Sequence, residues 1–139
     1  MSEQNRALAI RWFEEVWNQG SEAAIDELFH PQGHAYGFPD PASDLIGPEA
    51  FKAVHRQFKS AFSGINVVID DVIVEGDRVA IRWTSHMAHT GDTLGFPASN
   101  KKAALAGSSF IHIHNGQIMH GWNQMDFTKL ALQLQSAEA

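Results

Sequence analysis

Eight histidines, one tyrosine and no cysteine bound the chemistry open to this 139-residue chain. An imidazole titrates near neutral pH and can move a proton in either direction. His55 is the best placed of the eight, because Phe51, Val54, His55, Phe58 and Phe62 form one apolar stripe at helical spacing. A histidine on such a stripe faces inward, either as a base for a bound molecule or as a core residue bonded to backbone. His34, Tyr36 and Phe38 alternate as in a short strand, among prolines and glycines that suit the lip of a pocket. There Tyr36 offers an apolar body with a polar tip. His86 and His89, three apart on a strand, point to opposite faces and cannot share a metal ion. His112, His114 and His120 can approach one another, but no carboxylate completes a ligand set, so no metal site is assigned. Asp126 is read as a helix cap, and of the neighbours Asp70 and Asp71 at most one can point inward.

These groups are positioned by a readable order of elements. Ala9, Trp12, Phe13, Val16 and Trp17 predict a first helix ending at Asn18-Gln19-Gly20. Ser21 caps a second, shorter helix that Pro31 stops, and Pro48 opens the third. After Gly64 the period becomes strand-like: 66–74 and 78–88 form a hairpin, and a loop over 90–100 leads to a strand over 103–114. Asn115-Gly116 then turns the chain into a last strand. A short helix follows, with Phe127, Leu130, Ala131 and Leu134. Helices first and consecutive antiparallel strands after them predict an α+β fold, a curved sheet over three N-terminal helices. A type I turn with a glycine bulge at Asn115-Gly116 would put Gly107, Ser109, Ile111 and Ile113 on one face with Met119, Gly121, Asn123 and Met125. That mixture of small, polar and apolar groups suits a cavity wall. Ser108, Phe110, His112, Ile118, His120 and Trp122 would hold the other face, and a one-residue slip would exchange the two sets.

With 44% hydrophobic and 19% charged residues, the chain reads as one folded domain over 1–139. A net charge of −6 leaves no basic stripe for nucleic acid. No apolar run approaches the roughly 20 residues that span a bilayer, and the first residues lack the pattern of a signal peptide, so a cytoplasmic place is expected.

Four segments taken together resemble the SnoaL-like polyketide cyclases of the nuclear transport factor two superfamily: Trp12-Phe13-Glu14-Glu15-Val16-Trp17-Asn18-Gln19-Gly20, Glu75-Gly76-Asp77-Arg78-Val79-Ala80-Ile81-Arg82-Trp83, His89-Thr90-Gly91 with Leu94-Gly95-Phe96-Pro97, and Asn115-Gly116-Gln117-Ile118. The resemblance implies a cone-shaped α+β barrel, commonly dimeric, with a deep apolar cavity and no metal or cofactor. Its cyclases close a ring by an intramolecular aldol reaction, with an aspartate directly after a tryptophan of the last strand as acid and base. Here that position is Asn123, while Gly121 and Ser109 stand where the cyclases have histidines. An amide cannot take a proton near neutral pH but can orient a carbonyl or stabilise an oxyanion. The expectation is therefore a homodimer holding a small, largely apolar, carbonyl-bearing molecule. Trp12, His34, Tyr36, Phe38, Phe58, Trp83, Ser109 and Met125 would contact it, and cyclisation, isomerisation or hydration would use Asn123 and His55. A non-catalytic binding or scaffold protein and a hydroxylase-type relative are the alternatives.

Overall fold

The computed structural model describes residues 2–38, 42–92 and 97–135. Helix α1 (Ser2–Arg11) runs without a break into a π-helical segment, Trp12–Asn18. The wider turn ends with Gln19 N–H donating to Glu14 O at 3.0 Å. Ala9 and Val16 are fully buried, as the apolar stripe requires. Helix α2 (Glu22–Leu28) is capped by Ser21, whose hydroxyl accepts from Ala24 N–H at 3.1 Å. Strand β1 (Phe29–Tyr36) follows directly, then the short β2 (Asp44–Ile46), which no residue pattern predicted. Pro48 sits in the first turn of α3 (Gly47–Ala61), which buries Phe51, Val54, His55 and Phe58.

Four long strands follow: β3 (Phe62–Glu75), β4 (Arg78–His89), β5 (Lys102–His114) and β6 (Gln117–Met125). With β1 and β2 they make one curved six-stranded sheet in the order β2-β1-β6-β5-β4-β3. All neighbours are antiparallel except β1 and β6, which run parallel. Helix α4 (Phe127–Gln135) follows β6, capped by Asp126, whose carboxylate accepts from Lys129 N–H at 2.9 Å. It buries Leu130 and Leu134, and Gln133 both accepts from Ala104 N–H and donates to Ala104 O, as a neighbouring strand would. The core lies between the inner face of the sheet and the helices. None of the described helices is long and apolar enough to cross a membrane.

The β5–β6 hairpin reaches the expected register by a different route. Asn115 and Gly116 both have positive φ, 51° and 77°. That is the two-residue type I′ turn, whose twist matches its flanking strands, and not a type I turn with a glycine bulge. The extra residue enters later: His112 pairs with His120 but Ile113 pairs with Ile118, so Met119 is the bulge. Beyond it Ile111 opposes Gly121, Ser109 opposes Asn123 and Gly107 opposes Met125. Ile118 is thereby turned inward, 3% exposed, in the place expected for Met119. A second bulge, at Asp70 in β3, leaves both Asp70 and Asp71 exposed.

Candidate functional site

Alternation along β4 sends Val79, Ile81, Trp83, Ser85 and Met87 inward, while β5 and β6 contribute Leu105, Ser109, Ile111, Gly121, Asn123 and Met125. Across from them Trp12, Phe13 and Trp17 of the first helix, with Phe51 and Phe58 of α3, complete a chamber of about 70 Å³. Among its described lining residues none has a side chain that ionises. The volume lies below the ~300–1,000 Å³ usual for ligand pockets. The chamber therefore suits a small ligand.

Of the residues expected at the ligand, Trp12, Phe38, Phe58, Trp83, Ser109, Asn123 and Met125 meet around this space. Phe38 comes there by a turn: Gly37, with φ 73°, reverses the backbone, so Phe38 is 5% exposed and inside. His34 and Tyr36 go to the opposite side, a correction to the lip expected of all three, because Gly37 interrupts the alternation. They lie on the outer face, where His34, Tyr36, His120 and Trp122 stack with centroids 5.2–5.9 Å apart. Asp44 bonds His34 at 2.9 Å and Tyr36 bonds His120 at 3.0 Å. His112 continues the stack, 5.9 Å from His120, and bonds Asp77 at 3.0 Å. Partial burial and the neighbouring imidazoles of His34 and His112 hold His120 below the ordinary histidine pKa. Among the described residues no group of three His, Asp or Glu side chains is arranged to hold a metal ion.

His55 also misses the chamber. Its ring is fully buried behind the lining, 4.8 Å from Trp17, and Nε2 lies 2.6 Å from Val16 O. A carbonyl can only accept, so Nε2 carries the proton. Among the described residues Nδ1 has no hydrogen-bond partner. Burial pushes its pKa down, partly opposed by the bond to Val16. Helical spacing predicts that His55 points inward, but not that the π-helical segment stands in its way.

The polar groups of the chamber form a chain. Trp83 Nε1–H donates to Ser109 Oγ at 3.1 Å, and Ser109 donates to Asn123 Oδ1 at 2.8 Å. Asn123 in turn donates to Tyr36 O at 3.1 Å and to Gly121 O at 3.5 Å. The indole is accommodated because position 107 is glycine: a β-carbon there would lie 2.5 Å from Trp83 Cζ2. Every donor of the chain is engaged, so Asn123 must release Tyr36 O before it can serve an oxyanion. Ser85 differs. It is 5% exposed and its hydroxyl donates only to the thioether of Met87, at 3.6 Å. Sulfur is a weak acceptor, which leaves this donor open to exchange. Ser85 was not among the expected ligand contacts, although a polar residue in the inward phase of β4 was the signal for it.

The chain matches the model of the SnoaL-like polyketide cyclase family over residues 7–134. No curated protein matches it. Among solved structures, it is similar to a provisionally assigned SnoaL-like polyketide cyclase from Jannaschia sp. CCS1, at 22% identity and TM-score 0.88, covering 99% of this chain and 95% of that one. TsrD from Streptomyces laurentii is 27% identical with TM-score 0.84, covering 97% of both chains. AclR, a provisionally assigned hydroxylase from Streptomyces galilaeus, has TM-score 0.84 at 17% identity, covering 100% of this chain and 89% of that one. With a family match running from the first helix to α4 and a shared fold along its whole length, the chain belongs to the SnoaL-like polyketide cyclase family.

Proposed function

We propose that the protein holds a small, largely apolar, carbonyl-bearing molecule in the chamber, and that it acts by enclosing and orienting this molecule rather than by moving protons with its own side chains. The observation that carries this reading is the lining: rings and aliphatic groups, no ionisable side chain among the described residues, and one weakly engaged hydroxyl, Ser85. Apolar walls with few placed polar groups are what a small organic ligand needs. A positioned general base contributes ~10²- to 10⁴-fold in rate, and neither Asn123 nor His55 supports that role by its contacts. The reading also takes two copies to associate through the outer sheet face, where Phe110 and Trp122 are 62% and 46% exposed.

Thermal melting of the full chain with cyclohexanone, acetophenone, methylcyclohexane and ethylbenzene tests the binding. A ligand at ~100 times its Kd adds ~2.7 kcal/mol, which is a shift of several degrees. The ketones are expected to bind more tightly than the hydrocarbons of similar shape. Ser85→Ala should cost the ketones about fivefold in affinity, the worth of one hydrogen bond of ~1 kcal/mol, and leave the hydrocarbons unchanged. The reading fails if none of the four shifts melting, or if the ketone preference survives in Ser85→Ala. Conversion of a bound ketone that follows an imidazole ionisation and disappears in His55→Ala would instead establish proton transfer.

A further inference from the structure

Two glycines stand on the inward phase of the β5–β6 hairpin, Gly107 under the Trp83 indole and Gly121 in the chamber lining, and their surroundings differ. Gly107 is required by packing: an added β-carbon would meet Trp83 at 2.5 and 2.7 Å and Gln124 O at 2.8 Å. Gly121 is buried, yet a β-carbon added there meets nothing within 4 Å. Its φ is not positive, so its backbone conformation is open to any residue. A glycine inside a strand loses more conformational freedom on folding than any other residue and contributes no side chain to the core. Among the described residues no neighbouring atom occupies the place of a side chain at position 121. The main chain there simply leaves room.

We infer that Gly121 sets the capacity and selectivity of the chamber: the missing side chain is the space in which an apolar, flat part of the ligand lies against the β6 backbone. This rests on the binding reading above and assigns the ligand a place within it. A flat group fits, because the backbone beside Gly121 is extended and Ile111 opposes it across β5. Ligand atoms then replace the contacts that a side chain would have made. Bulk at 121 competes directly with the ligand, whereas bulk at 107 displaces Trp83.

The test compares the full chain with Gly121→Ala and Gly121→Leu, using benzene and xenon as probes, since dry apolar cavities take up both. Melting without probe should be no lower in Gly121→Ala than in the unaltered chain, because the β-carbon enters free space. Benzene affinity should fall a few-fold in Gly121→Ala and at least tenfold in Gly121→Leu, and the xenon-dependent shift of chamber methyl resonances should vanish in Gly121→Leu. Gly121→Ala keeps the test decisive should the leucine variant fold poorly. A melting temperature of Gly121→Ala several degrees below the unaltered chain would overturn the inference, as would benzene affinity that is the same in a folded Gly121→Leu. If the unaltered chain takes up neither probe and none of the ketones, the binding reading falls and the inference with it; if only the Gly121 variants behave unexpectedly, the inference falls alone.

Discussion

The Nε2–H of His55 donates to Val16 O, and the rest of the ring packs against Trp17 and Phe51. Burial keeps its folded pKa below the ordinary value, so the neutral ring is the form the fold accepts. The sign of the pH effect follows. A depressed histidine contributes its full stability above the unfolded pKa of ~6.5, and loses it as pH falls toward the folded value, because the unfolded chain takes up the proton first. His120 shifts in the same direction and adds to the effect. Melting is therefore expected to fall between pH 7.5 and 5. His55→Phe, which leaves Val16 O without its donor, should cost ~1–3 kcal/mol at pH 7.5 and less at pH 5, where the unaltered chain has already lost part of the benefit. A difference that stays constant across this range would show that His55 does not titrate with folding. That His55 points inward was legible in its spacing. What it meets was not, because Val16 lies 39 positions earlier and joins it only through packing.

The β5–β6 hairpin was largely legible, through an Asn-Gly pair between alternating runs, and the paired faces came out as expected beyond the bulge at Met119. Two local features cancel there: the turn is one residue tighter than expected, and the bulge at Met119 restores the phase. Alternation fixes which residues share a face over a long strand, but it does not show where an extra residue enters, since a turn bulge and a strand bulge shift the register equally. The same limit hid Gly37, whose positive φ sends Phe38 inward and leaves Tyr36 outside. A glycine in a strand likewise reads the same whether it makes room for a neighbour or for nothing. Gly107→Ala is expected to force the Trp83 indole off Ser109, at a cost of ~1–3 kcal/mol for overpacking. Chemical denaturation checks the magnitude. A change below ~0.5 kcal/mol would mean that β4 and β5 adjust around the new methyl group, so that glycine is not what seats the indole.

The sheet separates two environments across the thickness of one strand layer: an apolar chamber inside, and outside a row of stacked rings that meet water. Phe110 and Trp122 are directly opposed across β5 and β6 and remain largely exposed, with Tyr36, His120 and His112 continuing the row. Large exposed rings grouped on one face mark an interaction surface more often than single apolar residues do. A pair of identical copies related by a two-fold axis would place this patch against itself. With a charge of −6 on each copy, such contact is favoured at a place poor in carboxylates, and among the described residues the ring row bonds acids at its ends, Asp44 beside His34 and Asp77 beside His112. Sedimentation at tens of micromolar protein is expected to give a dimer, and Phe110→Glu with Trp122→Glu a monomer, since four like charges would then face one another across the axis. Both substituted side chains point away from the chamber, so benzene should still bind the double variant with the affinity of the unaltered chain. A monomeric unaltered chain would remove this face as the contact. A double variant that is monomeric and also loses benzene would instead show that the chamber depends on association, with the outer rings supporting the strand layer that forms its wall.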